Sequence, residues 1–194
     1  HSFRIPNYFN ISREGEPFEE LIVKIRYLPN PVARVCTANL KVRTMHKYID
    51  QVLKFKEWET CIGLRADEPR RVNRLSTTKK GDELVTPMAN AGHDKKEVTD
   101  FWKDNPLDLK LPLESNIFGN CVGCYLKSYK KLEAIGREEP HQLDWWIRME
   151  KKAKEEFNFE NFRKDQPDYQ TIKRDAHLQQ AFDFGDTVPC FCTD

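Results

Sequence analysis

The run Gly119-Asn120-Cys121-Val122-Gly123-Cys124-Tyr125-Leu126-Lys127 constrains this chain more than any other stretch. Two cysteines separated by two residues reach one metal ion from a single turn. Gly119 and Gly123 leave the backbone free to wrap that ion and to aim amide donors at sulfur. A zinc site or an iron-sulfur cluster takes about four ligands, so further donors have to come from Cys36, Cys61, Cys190, Cys192 or a histidine. Cys36 opens a helical pattern behind the stiff Leu28-Pro29-Asn30-Pro31 segment, and with Thr37 as cap it sits at the positive helix end, which stabilises a thiolate. Cys61 lies in an apolar run and reads as a small buried hydrophobe. Cys190-Phe191-Cys192 is near a terminus, which stays mobile unless ligation ties it down; one thiol is then left as a nucleophile. The ordinary alternative is a pair of thiols in a turn and two more in a frayed tail.

Charge and hydropathy narrow the classes. Lys+Arg 32 against Asp+Glu 31 leaves a formal charge of +1, so bulk electrostatics does not call for nucleic acid as a partner. No apolar run approaches the roughly 20 residues of a membrane span, and no apolar leader follows His1. The chain opens without an initiator methionine, which reads as a trimmed or partial chain. Six cysteines at this length, one pair as Cys-x-x-Cys, fit metal or redox use in a reducing, cytoplasmic compartment better than a disulfide framework.

Periodicity places the elements. Tyr8-Phe9-Asn10-Ile11 reads as a short strand. Phe18, Leu21, Ile22 and Ile25 follow Pro17 at helical spacing. From Cys36 a helix is expected with Met45, Tyr48, Ile49, Val52 and Leu53 on one stripe. Glu59 to Leu64 reads as a buried strand, 75 to 82 as a surface loop and Glu83 to Met88 as another strand. Asp94 caps a helix carrying Val98, Phe101 and Trp102, which Asn105-Pro106 ends. Leu109, Leu111, Leu113 and Phe118 anchor a loop. Helices follow over Tyr125 to Arg137 and His141 to Phe157, with Leu143, Trp146, Ile147, Ala153 and Phe157 facing inward, and 158 to 168 is irregular. Asp168 caps a last helix through Phe182.

A second constellation is Arg65-Ala66-Asp67-Glu68-Pro69-Arg70-Arg71. Guanidinium forks bind phosphate or sulfate oxygens bidentately, and a charged loop at the end of a strand is where open α/β sheets take ligands; a solvated surface loop is the bland alternative. Lys127, Lys130 and Lys131 either offset thiolate charge, face an anion or form a solvated basic face. His46, His93, His141 and His177 read as surface or capping histidines, and Trp102, Trp145 and Trp146 as packing residues.

Four motifs in order, Arg34-Val35-Cys36-Thr37 with Leu40-Lys41, then Ile62 to Arg71, then Val98-Thr99-Asp100-Phe101-Trp102, then Gly119 to Cys124, resemble the C-terminal two-thirds of the phosphoadenosine phosphosulfate (PAPS) reductase-like family, above all its bacterial and phage-encoded branch. The resemblance covers residues 34 to 127 and fades after about 155. That family is similar to the adenine nucleotide alpha hydrolase and N-type ATP pyrophosphatase enzymes, so the resemblance implies an α/β fold, a parallel sheet flanked by helices. Their Ser-Gly-Gly-x-Asp-Ser phosphate loop has no counterpart here, where Gly15 is the one early glycine. A partial nucleotide-type domain over 1–118 is therefore expected, followed over 119–194 by the Cys-x-x-Cys turn, a helical extension and the tail.

The resemblance further implies Cys36, Cys121 and Cys124 as cluster ligands with Cys190 or Cys192 as fourth, and Arg34, Lys41, Arg65, Asp67, Arg70, Arg71 and Lys127 around an anionic substrate. In place of the Glu-Cys-Gly-x-His-like tail of sulfonucleotide reductases stands Pro189-Cys190-Phe191-Cys192. The expected function is sulfur reduction or transfer on an adenylylated or sulfonucleotide small molecule. Its expected parts are a four-iron iron-sulfur cluster, Cys192 or Cys190 as catalytic thiol, and a thiol reductant protein as partner. The alternatives are a non-enzymatic zinc-stabilised interaction or nucleic-acid accessory module, and part of an ATP-dependent RNA or DNA sulfur-modification enzyme.

Overall fold

The computed structural model describes residues 8–75, 81–103, 105–107, 117–159 and 161–178. It is mixed helix and sheet, and it divides into two compact units: one holds the described residues up to Met45 and from Ile117 onward, the other those from His46 to Leu107.

The first unit is helical. Helix α1 (Glu16–Ile25) forms where Pro17 presets the first turn and glutamates favour its positive end. It stops before the two prolines, at Arg26, whose left-handed φ of 53° closes the end with an amide bond to Ile22 O. Helix α6 (Tyr129–Glu138) starts after Ser128 at its N-cap position, four residues later than the spacing suggests, because Cys121 to Lys127 is spent on turns. A 3-10 turn (Pro140–Leu143) leads into α7 (Asp144–Phe157), and α8 (Tyr169–Asp175) follows. The C-terminal end expected for α8, at Phe182, lies outside the described residues, as do Leu109, Leu111 and Leu113. The core joins Ile22 and Leu28 to Leu132, Ile135, Leu143, Met149, Phe162 and Ile172, all at most 1% exposed. Gly136 and Ala176 let α6 and α8 approach: a Cβ at Gly136 would lie 3.0 Å from that of Ala176.

Asp168 caps α8 as expected, its carboxylate accepting from Thr171 N at 2.7 Å. Asp168→Ala is expected to lower unfolding free energy by about 1 kcal/mol, measurable by urea unfolding.

The helical run through Cys36 departs from regular α geometry. Residues Thr37–Val42 and Ile49–Leu53 are π-helical around a short α2 (Arg43–Tyr48). Polar side chains occupy backbone acceptors: Asn39 Nδ2 donates to Val35 O at 2.8 Å and Thr44 Oγ1 to Asn39 O at 2.9 Å. The helical turn already includes Val35, so Thr37 lies inside it and is no cap. The apolar stripe expected to be covered is partly open, with Met45, Val52 and Leu53 about two-fifths exposed.

The second unit contains a two-stranded parallel sheet, β1 (Trp58–Cys61) paired with β2 (Asp82–Val85) in the register Trp58↔Asp82 to Cys61↔Val85. Short helices α3 (Pro69–Val72) and α4 (Pro87–Asn90) and the longer α5 (Lys95–Lys103) accompany it. A capping box starts α5, Asp94 Oδ1 accepting from Glu97 N at 2.9 Å and Glu97 Oε2 from Asp94 N at 3.2 Å.

The structure departs from three of these expectations. Tyr8 to Asn10 is an exposed turn, not a strand. β2 starts one residue early and gives way to α4 at Pro87, where a strand would lose a ladder donor. The strand carrying Cys61 alternates half-buried and exposed side chains, and Cys61 falls on the exposed set. With one paired neighbour and one covered face, β1 has no interior in which to hide that thiol.

Candidate functional site

The thiol turn is built on an aromatic wall. Asn120 takes a left-handed φ of 61°, and the Cys124 amide closes back on Cys121 O at 3.1 Å. Behind the turn stands Trp146, whose indole occupies the place a Cβ on Gly123 would need, so only glycine fits there. Trp146 is itself fixed, with ring centroids 5.0 Å from Phe162 and 5.5 Å from Tyr169. The Tyr169 hydroxyl donates to Gly123 O at 2.5 Å from 46 positions away. Buried Lys127 donates from Nζ to Gly119 O at 2.5 Å, which ties the two ends of the turn together. The lysine expected to face an anion thus holds the loop, and it precedes α6 rather than riding on it.

Cys36 arrives at this turn from 89 positions away, its Sγ 3.3 Å from the Tyr125 hydroxyl. Tyr125 is 2% exposed. Burial pushes its phenol far up, the hydrogen bond and charge of Cys36 push the same way, and Arg34 pulls weakly against them. Cys124 is buried and acts electrostatically on Tyr125 and Tyr169, while Cys121 is exposed on the rim. Cys190 and Cys192 lie outside the described residues. Cys36, Cys121 and Cys124 belong to one unit, and thiolates are ligands that suit zinc or iron chemically. Among the described residues, however, no group of three or more His, Cys, Asp or Glu side chains is preassembled to hold a metal.

Glu150 of α7 fastens the wall from below. Only 6% exposed, it accepts from Phe162 N at 3.1 Å and Tyr169 N at 2.8 Å, bridging the irregular 158–168 segment and the start of α8. Burial pushes its carboxyl up to about 7, against the pull of those two amides. The sequence signal for it is a carboxylate inside the inward stripe of Trp146, Met149 and Ala153. Tyr125 and Tyr169 were equally silent, since nothing local tells a buried tyrosine with a partner from a packing one.

The arginine loop belongs to the other unit. Arg65 Nε bonds Asp67 Oδ1 at 2.8 Å, and Glu68 reaches both Arg65, at 3.4 Å, and Arg71. The Arg65 hydrogen bond holds the Asp67 carboxyl below its usual range. Arg70 is exposed, as is Lys41 on its π-helical segment of the first unit. Beside Asp67 an open depression of about 480 Å³ is lined by Asp94, Lys95, Lys96, Thr99, Asp100 and Lys103. Lys103 and Lys96 drive Asp100 down to about 2, so the lining is charge-balanced rather than basic.

A further network joins His46 Nε2 to buried Asp82 Oδ2 at 3.1 Å and Thr60 Oγ1 to Asp82 Oδ1 at 2.6 Å, with Trp58 Nε1 on Thr60 Oγ1 at 3.2 Å. It ties His46 to the sheet within the second unit, so His46 is a structural partner and not a surface residue. No helix among the described residues is long and apolar enough to cross a membrane.

Over 124 residues the chain is 30% identical to the uncharacterized nin region protein ORF290 of Escherichia phage lambda, a match that takes in 64% of this chain and 39% of the phage protein. The chain therefore spans well under half the length of that relative. No family model matches, and no solved structure matches.

Proposed function

We propose that this chain is a thiol-based sulfur-metabolism enzyme, or part of one, similar to the PAPS reductase-like enzymes and acting on an adenylylated or sulfonucleotide substrate. The observation that supports it is the contact of Cys36 with Tyr125, the residue directly after Cys124 of the Cys-x-x-Cys pair. In this reading the three thiols, with Cys190 or Cys192 as fourth, would hold a four-iron cluster, the remaining tail thiolate would attack the sulfonyl sulfur of a sulfonucleotide so that an S–S bond forms as the S–O bond breaks and the nucleotide phosphate leaves, and Arg65, Arg70 and Arg71 would bind the anion. The parallel pair β1 and β2, delivering the arginine loop at its carboxyl end, is what supports the adenine nucleotide alpha hydrolase-like fold. When bound, a cluster supplies one-electron chemistry; the protein supplies the ligands and the hydrogen bonds that tune them.

The test is anaerobic purification of the full chain with metal analysis and a visible spectrum. Iron with acid-labile sulfide and broad visible absorption is expected, lost in Cys121→Ser. Zinc in a colourless protein would turn the reading to a zinc-stabilised module. A metal-free chain whose Cys121→Ser variant is indistinguishable from it sinks the ligand assignment.

A further inference from the structure

Cys121 and Cys124 share one turn but differ in access: Cys121 is exposed, whereas Cys124 is 6% exposed. Residues 161–168 and the start of α8 hold the residues on both sides of Cys124. On its amino side the Tyr169 hydroxyl donates to Gly123 O at 2.5 Å, and Trp146, the indole against Gly123, is packed by Phe162 and Tyr169. On its carboxyl side the Tyr125 ring stacks on Phe162 at 6.0 Å and an interplanar angle of 7°, and Arg163 Nη1 donates to the Tyr125 carbonyl at 3.4 Å. This strap is neither helix nor strand. Phe162 N near its beginning donates to Glu150 Oε1, and Tyr169 N just past its end donates to Oε2. One carboxyl group of α7 therefore fastens both ends. A segment fastened in this way can open as a unit, at a smaller free-energy cost than global unfolding.

We propose that residues 161–168 form a gate over the Cys124 thiol with Glu150 as its latch: closed, the strap leaves Cys121 alone of the pair open to reagents, and released from Glu150 it exposes Cys124 as well. The gate concerns access to a thiol and does not depend on what the cysteines bind. Its latch responds to pH. Glu150 is 6% exposed in the closed strap and meets water in the open one. Closed, burial holds its proton up to about 7, against the pull of the two amides; open, the carboxyl returns toward its ordinary 4.5. Of the charged groups on the elements around it, Asp168 opposes ionisation, while Arg163 is paired with Asp165, Lys173 with Asp144 and His141 with Glu139. Between about 4.5 and 7, opening therefore releases a proton and becomes easier as pH rises; above about 7 the gain levels off.

The test labels the full chain, reduced and in the presence of a chelator, with N-ethylmaleimide at low extent, and peptide mass mapping gives the rates at Cys124 and Cys121 separately. Their ratio cancels the pH dependence that the two thiols share. It is expected to be small at about pH 5.5 and to climb by roughly tenfold by pH 7. Glu150→Gln removes the titrating group and should raise the ratio at the lower pH and abolish the climb. Tyr169→Phe loses one tie between strap and turn but keeps the latch, so the ratio should rise while the climb persists. Urea separates the gate from global unfolding, because a local opening exposes little surface: Cys124 labelling should depend on urea far less steeply than unfolding does. The proposal is overturned if the two thiols react alike at about pH 5.5, if Glu150→Gln climbs as the parent does, or if Cys124 is reached only with the full urea dependence of unfolding. A parent ratio that stays flat to pH 7 overturns it as well, even where Glu150→Gln fails to fold.

Discussion

Glu150→Ala is expected to lower the unfolding free energy by about 4 kcal/mol, because two buried amides, Phe162 N and Tyr169 N, lose their acceptor together and each orphaned donor costs about 1–3 kcal/mol. Tryptophan fluorescence in a urea series reads this directly, since Trp146 packs against both residues whose amides are freed. Glu150→Gln retains one acceptor oxygen and is expected to lose about half as much. The parent should also depend on pH in a defined direction. The Glu150 carboxyl is raised from 4.5 to about 7 in the folded chain, with burial as the first cause, so between those values the folded state holds a proton that the unfolded state has released. The contribution is complete below about 4.5 and is lost as pH rises through about 7, by an amount on the order of 3 kcal/mol at most. Glu150→Gln should flatten that slope. A parent whose stability does not fall between pH 5 and 7 relative to the Gln variant would contradict the assignment.

Gly123→Ala is expected to cost about 3 kcal/mol, the upper range for overpacking, although it adds a single methyl group. The new Cβ would overlap the Trp146 indole, and the indole has nowhere to go. Phe162, Tyr169 and Trp145 surround it at centroid distances of 5.0, 5.5 and 5.0 Å. The turn would have to move instead, breaking the Tyr169 bond to Gly123 O and displacing Cys124. Gly63→Ala is the control, since nothing lies within 4 Å of a Cβ there, and a change within about 0.5 kcal/mol is expected. Equal effects at the two glycines in urea unfolding would mean that the wall does not hold the turn.

The elements legible in the sequence are those whose stabilising contacts are local. The first helix follows from Pro17 and the spacing of Phe18, Leu21 and Ile22, α5 from the reciprocal bonds of Asp94 and Glu97, and α8 from Asp168, each within a few residues of its own backbone. The helical run after Cys36 was legible as helix but not as π-helix. Its geometry turns on Asn39 and Thr44 side chains taking backbone acceptors, a choice that binary patterning does not encode. Cys61 was misplaced for a related reason. An apolar strand is interior only if neighbours cover both faces, and the run Glu59 to Leu64 carries no information about how many strands lie beside it.

The sequence by itself determined which reactive side chains the chain carries: two cysteines with two residues between them and a third behind a proline-stiffened segment. Only the tertiary structure decided what surrounds them. It set Cys36 against a tyrosine 89 positions away, filled the space beside Gly123 with an indole and turned Lys127 back onto Gly119 O. The physical reason is that ligand type is a property of single side chains. The position of a sulfur, and the hydrogen bond it receives, are properties of a packed interior that forms only when α6, α7, α8 and the 158–168 segment close behind the turn.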